Sequence, residues 1–436
     1  MTAQTAQNPV LIIGWRNYLI EAAQRLGMSP VVVYGPGDKD WAEPVFAAGI
    51  RAVFAARPTD AECILTALAR EGLADLAYQG VCPGGEDSVV VAALIAQALA
   101  IPGIPVKTAV WARDKWLQKE RLRAAGHVTA ACEVITDIED VHFGLETLPN
   151  VGFPAVLKPI DGVGTSYTRI VSNDTELADS VSEFATRSGR RTFVLESFVP
   201  GEEWGIDGVV RDGELVFCSI GAYQHPIWHI QHGTAVRIVV LDHDQDSAAY
   251  ALARPFLQQS LSELGITDGV FHLEAFHQPD EQRLVFSECA VRPGGGLIPE
   301  TVRAKFGVDL GEEHLRAWCG MPTLARDVKA DPDYFGSVFI PSIPGTLVSC
   351  PTAAEVEARP GVVEAVVQTP VGFGMGPSGA NANMRMGLAV LHAASAELLR
   401  DGEADLLTWF AEQVVVNDET PSELPPRILR QQAAAS

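Results

Sequence analysis

The sequence predicts a chain of mixed class, α/β at its N-terminus and α+β beyond, on three observations. Between residues 9 and 103 short apolar runs alternate with amphipathic stretches, the pattern of an open, mostly parallel sheet covered on both faces. Between residues 153 and 291 apolar runs of period two are joined by polar turns, which reads as antiparallel sheet. The stretch Phe271 to Pro299, FHLEAFHQPDEQRLVFSECAVRPGGGLIP, brings two carboxylates together and then enters a glycine-rich turn; the rest of the chain is read around it.

Composition sets outer bounds. A chain of 436 residues, 47% hydrophobic and 20% charged, can bury roughly two to four domain cores. Its net charge of −23 argues against nucleic acid as a partner, since that binding rests on a basic face neutralising phosphates. Any anionic ligand must be captured by a local group of cations. The 7 cysteines are scattered, without a CxxC pair, which suits reduced thiols in a cytoplasmic setting. The richest apolar run, Val89 to Ala100, is interrupted by Gln97 and stopped by Pro102, short of the ~20 residues of a membrane helix, and MTAQTAQNPV lacks signal-peptide character.

In chain order, residues 9 to 36 read as strand, helix, strand, with Gly14 closing the first strand and Val31 to Tyr34 forming the second. Arg16 and Leu19 stand where the later glycines of GxGxxG would be, which argues against a dinucleotide site. The alternation continues through a strand at Arg51 to Phe54, a helix at Asp60 to Glu71, a strand at Leu76 to Gln79 and a helix at Ser88 to Ala100. Val110 to Ala125 reads as one helix carrying Arg113, Lys115, Lys119, Arg121 and Arg123, by itself no more than a solvated face. Phe153 to Val171 is a strand, a loop with Gly162, Gly164, Thr165 and Ser166, and a second strand. Such a loop can cover phosphates with backbone amides while Lys158 adds a point charge from beneath, although most glycine-rich hairpins are simply turns.

Arg191 to Ile220 reads as two antiparallel arms, with Glu196 at an apolar strand end and Glu202 and Glu203 after Pro200-Gly201. A strand end of that kind can hold a purine edge-on and a ribose by its hydroxyls; solvated edge acids are the plain alternative. His225, His229 and His232 suggest zinc, but no cysteine or carboxylate is near and Pro226 opposes an aligning helix. A loop over a polar substrate fits them better. Thr301 to Cys319 reads as a helix behind the glycine turn. From Tyr334 a third, smaller α+β unit follows, with a loop at Gly372, Gly374, Gly376 and Gly379, a strand at Asn383 to Ala389, and a tail from Asn417 expected to be disordered.

The central hairpin carries the chemistry. Folding about residue 280 or 281 sets Glu274 and Glu288 nearly opposite, on the same face of adjacent strands. Facing carboxylates repel, so something positive should lie between them, and a hard divalent cation such as Mg²⁺ that also takes phosphate oxygens is the natural choice. Arg292 and Gly294, Gly295 and Gly296 then offer a guanidinium and bare amides to an anion beside that metal.

Taken together, these stretches resemble the ATP-grasp superfamily in its carboxylate-amine ligase branch, over residues 9 to 415. The resemblance rests on Gly84-Gly85-Glu86, Asp114-Lys115, FPAVLKP with its glycine loop, LESFVPGEEW, HLEAF and ECAVRPGGG, all in the family's order. It implies an N-terminal Rossmann-like domain at 1–112, an ATP-grasp core at 113–325 with a small lobe at 113–192 and a large lobe at 193–325, and a C-terminal domain at 326–416 completing the large lobe. By the same similarity, Lys115 and Lys158 would contact the α and β phosphates of ATP, and Gly162, Gly164, Thr165 and Ser166 would close over them. Glu196, Phe198 and Val199 would lie along the adenine, Glu203 would hold the ribose, and Glu274 and Glu288 would carry Mg²⁺, or Mn²⁺ in its place. Arg292 would steady the transferred phosphoryl group, with Lys158 also catalytic, and His232 and the glycine turn would meet substrate. Ala290 stands where many members have a further metal-ligating asparagine, which puts the number of ions in doubt.

The reading expected from the resemblance is an ATP-dependent ligase joining two small amino-acid-like molecules and releasing ADP and phosphate. Two alternatives stand beside it: activation of bicarbonate, and a nucleotide-binding regulatory protein without turnover. The expected partners are small molecules, not nucleic acid or membrane. Neither the substrates nor the oligomeric state, a homodimer among the options, is legible.

Overall fold

The computed structural model describes residues 8–38, 50–139, 150–375 and 385–417, apart from the side chains of residues 231 and 232. Strands β1 (Pro9–Ile13), β2 (Ser29–Tyr34), β3 (Arg51–Phe54) and β4 (Val81–Pro83) form a parallel sheet in the order β3-β2-β1-β4. It is covered by α1 (Asn17–Arg25), α2 (Ala61–Arg70) and α3 (Val89–Leu99). Every residue of β1 is buried, as a continuous apolar run in a two-sided parallel sheet requires. Asp60 opens α2 by accepting from the Cys63 N–H. The expected strand at Leu76 to Gln79 is shifted along the chain: β4 is Val81–Pro83, and of the expected run the Gln79 N–H donates to Pro9 O at 2.8 Å. The Tyr78 N–H donates to Leu76 O, a tight turn that delays the start of the ladder to Gln79.

A second correction concerns the basic helix. In place of one helix at Val110 to Ala125 there are α4 (Val106–Trp111) and α5 (Lys115–Ala124), because the Asp114 carboxylate accepts from the N–H groups of Trp116 and Leu117 and starts a new helix. The break puts Lys115 at the first helical position and turns Lys119, one turn later, onto the same face. Strands β5 (Cys132–Ile135), β6 (Ala155–Pro159) and β7 (Arg169–Val171), helix α6 (Asp174–Arg187) and strand β8 (Phe193–Ser197) follow, their sheet ordered β5-β8-β6-β7 and wholly antiparallel.

The large sheet contains β9 (Glu202–Arg211), β10 (Glu214–Tyr223), β11 (Val236–Val240), β12 (Gly269–Gln278) and β13 (Arg283–Ala290), with α7 (Ser247–Leu264) between β11 and β12. Beyond β13 come α8 (Ile298–Phe306) and α9 (Leu310–Trp318), which split the single helix expected at Thr301 to Cys319. Gly307 at φ 68° ends the first, and Asp309 caps the second by accepting from Glu312 N–H. Then β14 (Tyr334–Pro341), β15 (Gly345–Ser349), α10 (Ala353–Glu357), β16 (Val362–Val367), β17 (Gly374–Met375), β18 (Arg385–Ala393), α11 (Ala396–Gln413) and β19 (Val415–Asn417) complete the chain. The large sheet runs β13-β12-β9-β10-β11-β14-β18-β16, so the last third of the sequence extends it through the antiparallel β11–β14 pair. Gly376, Gly379, Asn383 and the tail beyond Asn417 lie outside the described residues. Among the described residues no helix is long and apolar enough to cross a membrane.

The core between α11 and the large sheet holds a carboxylate. Glu403 is fully buried; among the described residues neither of its oxygens has a hydrogen-bond partner, and Arg237 Nε lies 3.8 Å from Oε2. Burial pushes its carboxyl up to about 7, against the pull of Arg237. The folded protein therefore keeps a proton that the unfolded chain has lost, and stability present at low pH falls as pH rises from about 4.5 through 7. In urea unfolding, Glu403→Gln is expected to gain roughly 2 to 3 kcal/mol relative to the native chain on going from pH 5 to pH 8.5; a pH-independent difference would contradict the assignment.

Candidate active site

The β12–β13 pairing puts Glu274 directly opposite Glu288, immediately before a bulge between Glu274 and Ala275. The two carboxylates share a face, as the period-two reading requires, and two lysines approach the second. Lys115 Nζ lies 3.2 Å from Glu288 Oε2 and donates to Gly162 O at 2.8 Å. Lys158 Nζ, from β6, lies 3.7 Å from the same oxygen and 3.1 Å from Glu196 Oε2. Burial alone would raise the Glu288 carboxyl; Lys115, Lys158 and Lys119 together bring it down to about 2.

Lys119 was not singled out by motif, yet it is wholly buried. Its Nζ donates to Ser287 O at 2.6 Å and lies 2.8 Å from Glu196 Oε1. Burial pulls its pKa down and Glu196 opposes that. Glu196, at the end of β8, thus takes one lysine on each oxygen, and they hold it ionised against the cost of burial. The spacing of Lys115 and Lys119, four apart, was the signal available in the sequence.

Glu203 is buried beside the pair. Its Oε2 accepts from the Ile227 N–H at 3.1 Å, and burial followed by the charge of Glu274 pushes its carboxyl up to about 8. The same bond ties β9 to the short helix Ile227–His232, which brings Trp228 and His229 to the wall of the cavity. The His232 side chain lies outside the described residues.

The glycine loop after β6 has Gly164, Thr165 and Tyr167 at φ 59°, 58° and 52°, left-handed conformations that cost non-glycine residues on the order of 1 kcal/mol or more. Tyr167 is held by its hydroxyl donating to Arg187 O at 2.8 Å and by its edge on Phe184. Gly162, Gly164 and Thr165 line the cavity. Ser166, expected to close over the phosphates, is instead buried and outside the lining, because the left-handed residues on either side turn it beneath the loop.

Past β13, the Gly294 N–H donates to Asp207 Oδ1 at 2.7 Å, and Asp207 Oδ2 is 2.9 Å from His272 Nδ1. A Cβ on Gly294 would come within 2.8 Å of Asp207 Oδ1, and Gly296 stands at φ 72° against Phe339, so these two glycines are demanded by space and conformation. Asp207 and His272 were not anticipated as site residues; His272 lies two before Glu274 on its face, but nothing local marks Asp207 as its partner. Arg292 pairs with Glu86, through Nε at 3.1 Å.

All of this opens on one cavity of about 2040 Å³. Lys115, Lys158, Glu196, Phe198, Val199, Glu203, Glu274, Glu288, Arg292 and Gly294 to Gly296 all line it. Among the described residues no group of three or more histidines, cysteines or acids is placed to hold a metal ion. A hard cation would therefore rest on Glu274 and Glu288 as a pair, with water and phosphate completing its shell. The donors fit it: oxygen ligands, in register, beside ammonium groups that suit a polyphosphate.

Residues 151–300 match the family model of the ATP-grasp domain. The chain is 26% identical over 234 residues to the L-arginine-specific L-amino acid ligase of Bacillus subtilis, covering 53% of this chain and 55% of that one. It is 24% identical over 203 residues to dapdiamide A synthase of Enterobacter agglomerans, covering 45% and 46%. The chain thus spans about half the length of these curated relatives. Among solved structures, an L-amino acid ligase from Bacillus licheniformis superposes with a TM-score of 0.76 at 20% identity, over 95% of this chain and 100% of that one. A phosphoribosylglycinamide synthetase from Anaerococcus prevotii gives 0.65 at 16% identity, over 94% and 100%. Residues 151–300 thus form an ATP-grasp domain, and over about half its length the chain is related to the L-arginine-specific L-amino acid ligase.

Proposed function

We propose that this protein is an ATP-dependent ligase that joins the carboxylate of one small amino-acid-like molecule to the amine of another through an acyl phosphate, releasing ADP and phosphate. The observation that carries the reading is the convergence of Glu274, Glu288, Lys115 and Lys158 on one wall of a cavity large enough for a nucleotide and two further molecules. Two relatives bearing the name L-amino acid ligase support amide formation over the activation of bicarbonate.

The chemistry follows from charge. A substrate carboxylate attacking a phosphoryl group brings anion to anion, so the protein's task is to neutralise and align. Magnesium-bound ATP, when bound, supplies the phosphoryl group and much of the charge neutralisation. Lys115 and Lys158 would meet the α and β phosphates, and with a metal on Glu288 their ammonium groups would be free for phosphate oxygens. Glu196 holds Lys158 and Lys119 in place, and Phe198 and Val199 offer backbone groups beside it for a purine. Glu203, buried beside the metal pair, would hydrogen-bond ribose hydroxyls. Arg292 and the amides of Gly295 and Gly296 would meet the anionic product, while Gly162, Gly164 and Thr165 would close over the site and exclude water that would hydrolyse it.

The direct test is a screen of amino acid pairs for ATP-dependent phosphate release, with mass spectrometry of the hits. Phosphate release that requires a free amino acid and yields a dipeptide mass is expected; release driven by bicarbonate alone, or none with any pair, would sink the proposal. In the active pair, Lys158→Met is expected to cost about 1.5 to 3 kcal/mol in kcat/KM, on the order of 10- to 150-fold, the range for a hydrogen bond to a charged group. Glu288→Gln should abolish saturable Mg²⁺ activation in the same assay; wild-type turnover with the native Mg²⁺ requirement would show that the metal lies elsewhere.

A further inference from the structure

Glu86 belongs to none of the phosphate or metal contacts above, yet it is buried at 6% exposure in the cavity wall. It follows β4 at a point fixed by close backbone packing. Gly84 N–H donates to Ile13 O at 2.7 Å, and a Cβ on Gly84 would fall 2.4 Å from Gly14 O. The next turn is locked by Ser88, whose hydroxyl accepts from Gly85 N–H and donates to Gly85 O. Little freedom remains in where the Glu86 carboxylate can go.

That carboxylate holds one arginine on each oxygen. Arg113 Nη1 donates to Oε1 at 2.8 Å, while Arg292 donates to Oε2 through Nε at 3.1 Å and Nη2 at 2.5 Å. Each arginine leads on to another part of the site. Arg113 Nη2 donates to Asp161 O at 2.6 Å, the residue immediately before Gly162 of the glycine loop, and Arg190 pairs with the Asp161 carboxylate. Arg292 Nη1 donates to Pro293 O at 2.8 Å, which ties the guanidinium to the turn that carries Gly294 to Gly296. Of the five guanidinium N–H groups of Arg292, these bonds use three and fix its plane, leaving one on each terminal nitrogen for a ligand. A two-point grip on Nε and one Nη is the geometry that sets an arginine's orientation and not only its charge.

We propose that Glu86 is a positioning residue that links the glycine loop to Arg292, gripping Arg113 and Arg292 on its two oxygens so that the remaining N–H groups of Arg292 are aimed at the phosphoryl group being transferred. This rests on the functional reading above and adds to it a role for the N-terminal sheet. The sheet presents the carboxylate that orients the arginine, so loop, turn and sheet are registered through one side chain.

The test is isothermal titration of the full native chain, first with MgADP and then, on the MgADP complex, with orthovanadate as a probe for the transferred phosphoryl group. Glu86→Gln keeps the shape and loses the grip. It is expected to bind MgADP within about threefold of the native chain and to lose vanadate affinity by at least about tenfold, the range for losing charge-assisted hydrogen bonds. Arg113→Gln leaves the Glu86–Arg292 pair in place while cutting the link to the loop, and is expected to lose vanadate affinity by a smaller factor, about threefold or more, with MgADP binding retained. Vanadate affinity equal to native in Glu86→Gln overturns the proposal. Should that variant fail to fold, as loss of MgADP binding would reveal, native vanadate affinity in Arg113→Gln overturns it. Absence of MgADP binding by the native chain would overturn the nucleotide reading as well, whereas native MgADP binding with unchanged vanadate affinity in the variants removes only the role given to Glu86.

Discussion

Two carboxylates that face each other across a β-ladder set the terms for everything around them. Two like charges ~4 Å apart at an effective dielectric near 20 repel by about 4 kcal/mol, a large share of a domain's net stability. Glu274 and Glu288 occupy opposed positions in one register, and the surrounding structure answers with cations from separate elements. Lys115 arrives from the start of α5, Lys158 from β6 and Lys119 from one turn beyond Lys115. The small antiparallel sheet and the large one are thereby fastened by charge at the place where the cavity forms.

The cations are themselves compensated, which explains how a cluster of buried ammonium and guanidinium groups is tolerated without a ligand. Glu196 answers Lys119 and Lys158, Glu288 answers Lys115, and Glu86 answers Arg113 and Arg292. Breaking one member of such a buried set leaves its partner uncompensated, the costly outcome for buried ion pairs. An incoming metal and polyphosphate would exchange partners within this set: the metal takes the carboxylates, and the phosphates take the lysines. Charge then changes hands with little net change in burial, so the site can be preorganised and still release its product.

Much of this was legible from residue order. The turn at Pro279 and Asp280 together with strand alternation brought Glu274 and Glu288 to within a residue of opposition; the bulge between Glu274 and Ala275, which nothing local marks, sets them directly opposite. Lys158, the glycine loop and Arg292 followed from local chemistry. What the sequence concealed was anything that depends on a chain break or a distant neighbour. Asp114 looks like one more polar residue in a basic helix; only as a cap does it divide α4 from α5 and set Lys115 and Lys119 toward the strands. Ser166 has the composition of a phosphate-binding residue, but Thr165 and Tyr167 at positive φ turn it inward. Asp207 and Glu86 act on partners 65 and 206 residues away, beyond the reach of any periodicity.

The overall charge gives the last constraint. At −23 the chain repels a polyphosphate at long range, so capture depends on what lies within a Debye length of about 8 Å at physiological salt. Within that radius the cavity presents fixed cations against carboxylates that a divalent metal would occupy, with the glycine turn Gly294 to Gly296 beside them. Asp207 takes the Gly294 N–H and the His272 ring on its two oxygens, so the turn is anchored to the strand that carries Glu274. The turn and Glu274, a metal ligand on the proposed reading, are therefore tied together through one carboxylate. On the proposed reading, such a site would favour a metal-bound anion over a free one, because in an acidic protein only the metal-bound form would meet both the carboxylates and the cations with the right sign.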